Sequence, residues 1–172
     1  IINGIADWVY EEEFGLVRAF DWDKESNNLA FIVFDETNVP KYSMKIFGNN
    51  LYPFEYSFKY PKAGETNSSL NLKIYNLESE KISSIDLSKN KNDYYYIPRL
   101  RFSDYSNKLF IQSLNRLQNK LLLSSYDLGL GIIKTVFEEK DETFVDIKEK
   151  IFFLKDDNFL LTSDRSGYNH IY

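Results

Sequence analysis

The chain contains 172 residues, of which 43% are hydrophobic and 17% aromatic, and its formal net charge is -5. The aromatic content excludes an intrinsically disordered chain and favours strands over helices. The acidic balance argues against a nucleic-acid partner, because phosphate binding requires a basic surface. The sequence has no cysteine, so a disulfide framework and a thiol nucleophile are both excluded.

The two ends suggest a piece of a longer protein. Residues 1–4 contain neither an initiator Met nor the basic segment of a signal peptide. Residues 168–172 resemble a strand that is interrupted. The longest apolar run, at 29–34, is far shorter than the roughly 20 residues that span a bilayer.

The first predicted element is a short helix near residues 8–14, with Asp7 as its N-cap. Acidic residues early in a helix suit the helix dipole, and Glu11, Glu12 and Glu13 follow one another here. Two interpretations are open: a solvated helix start, or a cation site. Adjacent carboxylates could hold an ammonium group, whose three N–H donors need several acceptors.

A hairpin pattern occurs three times, at residues 20–34, 100–111 and 151–161. Each copy consists of an aromatic strand end, a polar turn and a second apolar strand. A second type of hairpin follows the first two copies, at 70–87 and 121–137. In the segment 70–74 apolar and polar residues alternate, which is typical of a half-buried strand. Each repeating unit therefore contains four strands.

The spacing of these units predicts the fold. Trp22 and Phe102 are 80 residues apart, whereas Phe102 and Phe153 are 51 apart; one propeller blade takes about 40–50 residues. The first spacing is one blade plus an insertion at about 35–69. We therefore predict an all-β fold: a partial β-propeller, an arc of about three to four four-stranded antiparallel blades, with one short helix carrying the Glu motif. A β-sandwich with turns at similar intervals is the alternative.

Ten side chains are expected to be buried between sheets: Trp22, Phe31, Leu72, Ile74, Phe102, Leu109, Ile111, Leu123, Phe153 and Leu160. Residues 23–28 resemble a calcium loop only loosely, because the central Gly and the distal Glu are missing, and a solvated turn is the simpler interpretation. The charged run at 138–142 is interpreted as a solvated loop between blades.

Catalytic machinery is missing from the sequence. It contains no G-x-S-x-G nucleophile elbow and no Gly-rich phosphate loop. With no cysteine and a single histidine, His170, a zinc site is not expected. We predict no catalytic residue, no metal site and no cofactor in this segment.

A family resemblance rests on Asp-Trp-Val-Tyr-Glu-Glu-Glu at residues 7–13. Four shorter runs support it in the same order along the chain: 39–43, 60–64, 114–119 and 167–171. Together these segments resemble the propeller domain of dipeptidyl peptidase IV, a serine exopeptidase of the prolyl oligopeptidase group, and in particular its Bacteroidetes-type bacterial members. The resemblance covers nearly the whole chain, residues 1–172.

The resemblance implies a role for two residues. Glu12 and Glu13 match the glutamates that bind the free α-amino group of the substrate in this family, on a helical segment that projects toward the catalytic domain. The parent protein would be a serine-type dipeptidyl aminopeptidase that releases X-Pro or X-Ala dipeptides. This segment, which lacks the Ser-Asp-His triad, would be inactive alone. An Arg that holds the substrate carbonyl in the family would lie before Ile1; Arg99, Arg101 and Arg116 do not match it.

The implied partners are a peptide N-terminus as substrate, the α/β-hydrolase domain of the same chain, and a second copy in a homodimer. The implied location is periplasmic, at the cell envelope or secreted. A non-catalytic propeller used as a protein-interaction module is the alternative function. The sequence beyond Tyr172 would separate the two functions.

Overall fold

The computed structural model describes residues 1–87, 94–155 and 158–172. These residues form helix α1 (Trp8–Phe14) and the strands β1 (Ile2–Asn3), β2 (Phe20–Trp22), β3 (Asn28–Asp35), β4 (Lys41–Ile46), β5 (Phe54–Lys59), β6 (Ser69–Asn76), β7 (Lys81–Ile85), β8 (Tyr96–Phe102), β9 (Lys108–Leu114), β10 (Lys120–Asp127), β11 (Ile132–Lys140), β12 (Phe152–Phe153), β13 (Phe159–Leu160), β14 (Thr162–Ser163) and β15 (His170–Ile171). The predicted all-β class with one short helix is confirmed. No helix within these ranges is long and apolar enough to cross a membrane.

The first two predicted units form two antiparallel meanders. In the first sheet β2, β3, β6 and β7 pair in that order, and β1 pairs with the edge of β3 that β2 also uses. In the second sheet β8, β9, β10 and β11 pair in chain order. Each sheet therefore contains the four-stranded unit predicted from the two hairpin types.

The last unit is present in part. Strands β12 and β13 pair with each other, as do β14 and β15, in two small antiparallel sheets. The third predicted turn includes residues 156–157, which lie outside the described residues. The sequence of full sheet, full sheet and partial sheet fits an arc of a propeller.

Strands β4 and β5 form a separate hairpin between β3 and β6. Within the described residues they pair only with each other, from Lys41 opposite Lys59 to Ile46 opposite Phe54. The turn at the far end of this hairpin carries three strongly exposed apolar side chains: Phe47, Leu51 and Tyr52.

Consecutive sheets stack on each other through their apolar faces. Ile32 and Leu72 of the first sheet share one buried cluster with Leu109 and Ile111 of the second. A second cluster joins the second sheet to the last unit through residues that are all buried: Phe110, Leu123, Ile151, Phe153 and Leu161. Seven of the ten side chains expected in the core are buried: Leu72, Ile74, Phe102, Leu109, Ile111, Leu123 and Phe153.

The prediction of burial was wrong for Trp22 and Leu160, which are 41% and 38% exposed, and Phe31 is half-buried. Successive residues of a strand point to opposite faces, and the buried face of β3 carries Ala30 and Ile32 instead. The opposite face forms an open apolar cleft of about 470 Å³, lined mainly by Phe20, Trp22, Leu29, Phe31, Tyr75 and Ile82. None of the described residues packs over it.

The interpretation of residues 138–142 as a solvated loop was also wrong in part. Strand β11 continues to Lys140, and Glu139 is only 8% exposed. Its carboxylate accepts hydrogen bonds from Lys148 Nζ at 3.1 Å and from Ser163 Oγ at 2.6 Å. A paired carboxylate tolerates burial that an isolated one would not, so this part of the charged run belongs to the interior.

Asp21 joins the first strands of the two meanders. Its Oδ2 accepts a hydrogen bond from the backbone N–H of Phe102 at 2.8 Å. Burial raises the pKa of Asp21 above its ordinary value of 3.8, and hydrogen bonds from the Phe102 and Trp22 amides oppose that effect. The site thus needs an acceptor for Phe102 but disfavours a charge.

We expect Asp21→Asn to be at least as stable as the parent at pH 7, because the amide oxygen still accepts from Phe102 without a buried charge. A carboxyl whose folded pKa is raised favours folding below its ordinary pKa, and that contribution is lost as the pH rises through the folded pKa. The advantage of Asn should therefore disappear near pH 4. Asp21→Ala should cost about 1–3 kcal/mol at both pH values, because the Phe102 N–H loses its partner. Thermal unfolding at pH 4 and pH 7 measures this, and equal losses for both variants at pH 7 would contradict it.

Candidate functional site

The helix lies on an excursion from the first sheet. Strands β1 and β2 follow each other along one edge of β3, and the chain between them leaves the sheet and returns. The base is closed by three hydrogen bonds: Gly4 N–H to Ile32 O at 2.9 Å, Ile32 N–H to Ala19 O at 2.9 Å, and Ala19 N–H to Gly4 O at 3.0 Å. Gly4 has a φ of 69°, a conformation that favours glycine. The excursion is thereby fixed to the blade at both ends.

Both ends of α1 are capped. Asp7 Oδ1 accepts from the Tyr10 N–H at 3.0 Å, as the sequence predicted for an N-cap, and its Oδ2 accepts from Ser68 Oγ at 2.5 Å. At the other end Gly15 has a φ of 58° and donates to Glu11 O at 3.1 Å. A seven-residue helix is marginal in isolation, so these caps and the packing below it define its position.

One face of the helix is anchored in aromatic residues. Tyr10 and Phe14 are buried, the Tyr10 ring lies 4.9 Å from that of Phe34, and the Phe14 ring lies 5.3 Å from that of Tyr96. The Tyr10 hydroxyl accepts from the backbone N–H of Ile97 at 3.1 Å. Burial raises the pKa of Tyr10 well above its ordinary value, so the phenol stays neutral. Both sheets therefore hold the helix.

The opposite face carries the three carboxylates. Glu11, Glu12 and Glu13 are all exposed. Glu13 Oε1 accepts a hydrogen bond from Gln118 Nε2 at 2.9 Å. Within the described residues Glu11 and Glu12 have no hydrogen-bond or ion-pair partner. The structure thus brings Glu12 and Glu13 together on a fixed support, with their charges uncompensated by a nearby cation.

The neighbouring arginine is engaged elsewhere. Arg116 donates to the Tyr96 hydroxyl at 2.5 Å and to Glu65 O at 3.3 Å, and its guanidinium stacks over the Tyr95 ring at 5.2 Å. Burial raises the pKa of Tyr96, while the charge of Arg116 acts in the opposite direction. Arg116 therefore braces the aromatic support of the helix. This bracing role is distinct from the carbonyl-binding one, to which the sequence did not match it.

The other arginines that the sequence set aside lie away from the helix. Arg99 pairs with Glu149 at 2.7 Å and Arg101 with Asp104 at 3.4 Å. In the 23–28 turn, the carboxylate of Asp23 accepts from the backbone N–H groups of Asn27 and Asn28, which is a hydrogen-bonded turn. Within the part of the chain that the structure describes, no group of three or more His, Asp or Glu side chains could hold a metal ion.

Comparison with known proteins agrees with this architecture. The family model of the dipeptidyl peptidase IV N-terminal region matches residues 1–172. The crystal structure of Porphyromonas gingivalis dipeptidyl peptidase 4 superposes with a TM-score of 0.90 at 36% identity, over 99% of this chain and 24% of that one. A putative dipeptidyl aminopeptidase IV from Bacteroides ovatus gives 0.83 at 26% identity, with the same coverage. These two neighbours fit the Bacteroidetes-type branch.

More distant relatives extend the comparison. Venom dipeptidyl peptidase 4 of Vespa velutina is 32% identical over 97% of this chain, and inactive dipeptidyl peptidase 10 of Rattus norvegicus is 28% identical over 99%. The capped helix on a partial propeller defines an all-β segment of a peptidase-type propeller. The chain belongs to the dipeptidyl peptidase IV N-terminal region family. It spans 22–23% of the length of these two curated relatives.

Proposed function

We propose that this chain is the amine-recognising and substrate-gating part of a serine-type dipeptidyl peptidase, in which Glu12 and Glu13 bind the substrate's ammonium group. One observation supports this above the others. Two adjacent exposed carboxylates lie on a helix whose opposite face is buried and whose ends are capped. Such a support keeps like charges together that would separate on a mobile loop.

The chemistry follows from the ammonium group. A primary ammonium presents three donors, and two carboxylates offer enough acceptor oxygens to satisfy them as it leaves water. An amine anchored at this pair places the second peptide bond of the substrate at a fixed distance. A serine nucleophile located there releases two residues at a time, as X-Pro or X-Ala. The nucleophile and its triad belong to the α/β-hydrolase domain of the parent chain, since this sequence contains no nucleophile elbow.

A homodimer is part of this proposal, as is the interpretation of residues 35–69 as an insertion into the first blade. Phe47, Leu51 and Tyr52 expose 79%, 90% and 78% of their surface at the end of the β4–β5 hairpin. A cluster of exposed apolar side chains on a projecting hairpin supports contact with another protein surface. A monomeric sedimentation profile of the full-length protein at micromolar concentration would contradict the dimer.

The test of the function compares two substrates in the full-length protein. A chromogenic X-Pro amide with a free amino terminus should be cleaved, whereas the same compound with an acetylated amino terminus should be cleaved at least about a hundredfold less efficiently. Acetylation removes the charge that the carboxylates bind, and an unpaired buried charge costs about 2–5 kcal/mol. Equal efficiencies would refute an amine site.

A second candidate function is a non-catalytic propeller that binds other proteins. The 28% identity to a protein named as inactive dipeptidyl peptidase 10, over 99% of this chain, favours keeping it in view. The two functions differ in the parent sequence beyond Tyr172. A G-x-S-x-G motif followed by Asp and His would support the peptidase, and the lack of a nucleophile there would support the interaction module.

A further inference from the structure

We propose that Gln118 is a positioning residue that holds the Glu13 carboxylate in its ammonium-binding orientation. This inference rests on the proposed function of Glu12 and Glu13. The observation is the hydrogen bond from Gln118 Nε2 to Glu13 Oε1 at 2.9 Å, between residues 105 positions apart in the chain. Glu13 lies on the excursion of the first sheet and Gln118 in the turn between β9 and β10 of the second. The second blade thus contributes directly to a site carried by the first.

The turn that presents Gln118 is tightly organised. Asn115 Oδ1 accepts from the backbone N–H groups of Asn119 and Lys120 at 3.1 and 3.0 Å. Gln118 has a φ of 55°, and its carbonyl accepts from the Val145 N–H at 2.9 Å. A non-glycine residue in this conformation persists where the surrounding structure stabilises it. The side chain of Gln118 therefore starts from a fixed backbone.

The amide is suited to this role because it is a neutral donor. It occupies one carboxylate oxygen of Glu13 and leaves the other for a ligand, and the carboxylate keeps its full negative charge. A lysine at this position would form an ion pair with Glu13 and compete with the substrate's ammonium. Fixing an exposed glutamate before the substrate arrives also reduces the conformational entropy lost on binding.

The expected effect lies in substrate binding. The hydrogen bond stabilises Glu13 equally in the ground state and the transition state, so its loss should raise KM and leave kcat nearly unchanged. Gln118→Met has a similar shape but no donor. In the full-length enzyme we expect it to raise KM for a free-amine X-Pro amide about threefold to tenfold, with kcat within about twofold. Gln118→Lys should raise KM further, because it also neutralises Glu13.

A matched control separates this effect from disturbance of a turn. Glu80 has a φ of 53° in the turn between β6 and β7, and within the described residues it makes no hydrogen bond or ion pair. Glu80→Met therefore makes the same change in the same backbone conformation, and it should leave KM within about twofold. A rise in KM equal to that of Gln118→Met would overturn the proposal.

The double variants distinguish the positioning role from the proposed function. In a Glu13→Gln background, Gln118→Met should have no further effect on KM, because the residue through which it acts has lost its charge. If Glu13→Gln weakens binding and Gln118→Met has no effect in the parent, the positioning role is wrong and the ammonium site stands. If Glu13→Gln itself has no effect, the ammonium site fails. A Gln118→Met effect that persists in the Glu13→Gln background would also overturn the positioning role.

Discussion

Replacing Glu12 or Glu13 with alanine in the full-length enzyme is expected to lower kcat/KM by about 30-fold to several thousandfold on a substrate with a free amino terminus. The bound ammonium would be partly desolvated and short of an acceptor, and losing one partner of a buried charge pair costs about 2–5 kcal/mol. Misplacing the amine also misplaces the scissile bond, so the loss should extend beyond affinity to the chemical step.

Glu11→Ala is the matched control for this prediction. Glu11 has the same side chain, is exposed on the same helix, and precedes the pair that matches the family motif. A solvated carboxylate that contacts no substrate should change little when it is removed, with an effect under about 0.5 kcal/mol. Three similar, near-parental values of kcat/KM would show that all three glutamates form only a solvated face.

The second large effect concerns the buried ion pair between the second sheet and the last unit. Lys148 Nζ lies 3.1 Å from the Glu139 carboxylate, and the two side chains are only 5% and 8% exposed. Removing one partner of a buried pair leaves an uncompensated charge and costs about 3–5 kcal/mol. We expect Lys148→Ala to destabilise the contact between β11 and the segment that carries Ser163 by that amount. Hydrogen exchange of those amides in the full-length protein measures it.

Two further variants define the cause. The double variant Glu139→Leu with Lys148→Met removes both charges and should recover most of the lost stability, since well-packed apolar replacements of buried pairs are often neutral or stabilising. Glu149→Ala breaks the neighbouring pair with Arg99, in which Glu149 is 67% exposed, and should cost less than about 1 kcal/mol. Similar losses for Lys148→Ala and Glu149→Ala would show that burial does not govern these pairs.

Local patterns in the sequence predicted the elements that depend on local physics. The N-cap, the short helix and the acidic face follow from residues 7–14, and all are formed within one stretch of chain. The alternation in β6 predicted the burial of Leu72 and Ile74 correctly. Four-strand units could be counted because each hairpin has its own turn signal.

The features that sequence reasoning missed depend on contacts between distant segments. Ser68 and Gln118 contact the helix from 61 and 105 residues away, and neither belongs to a pattern that a single sequence displays. The burial of Glu139 depends on Lys148 and Ser163 in later segments. Trp22 was misassigned because an apolar residue in a strand does not indicate which of the two faces is covered.

The closed base of the helical excursion has a consequence for how this segment can vary. Gly4, Ala19 and Ile32 continue the ladder of the sheet beneath the helix, so the blade does not need the intervening residues for its own pairing. Natural or engineered chains could therefore exchange residues 5–18 as a cassette, provided that the residues corresponding to Asp7, Tyr10 and Phe14 still dock on the aromatic support. Recognition of the substrate's first residue could then diversify while the architecture of the blade stays constant.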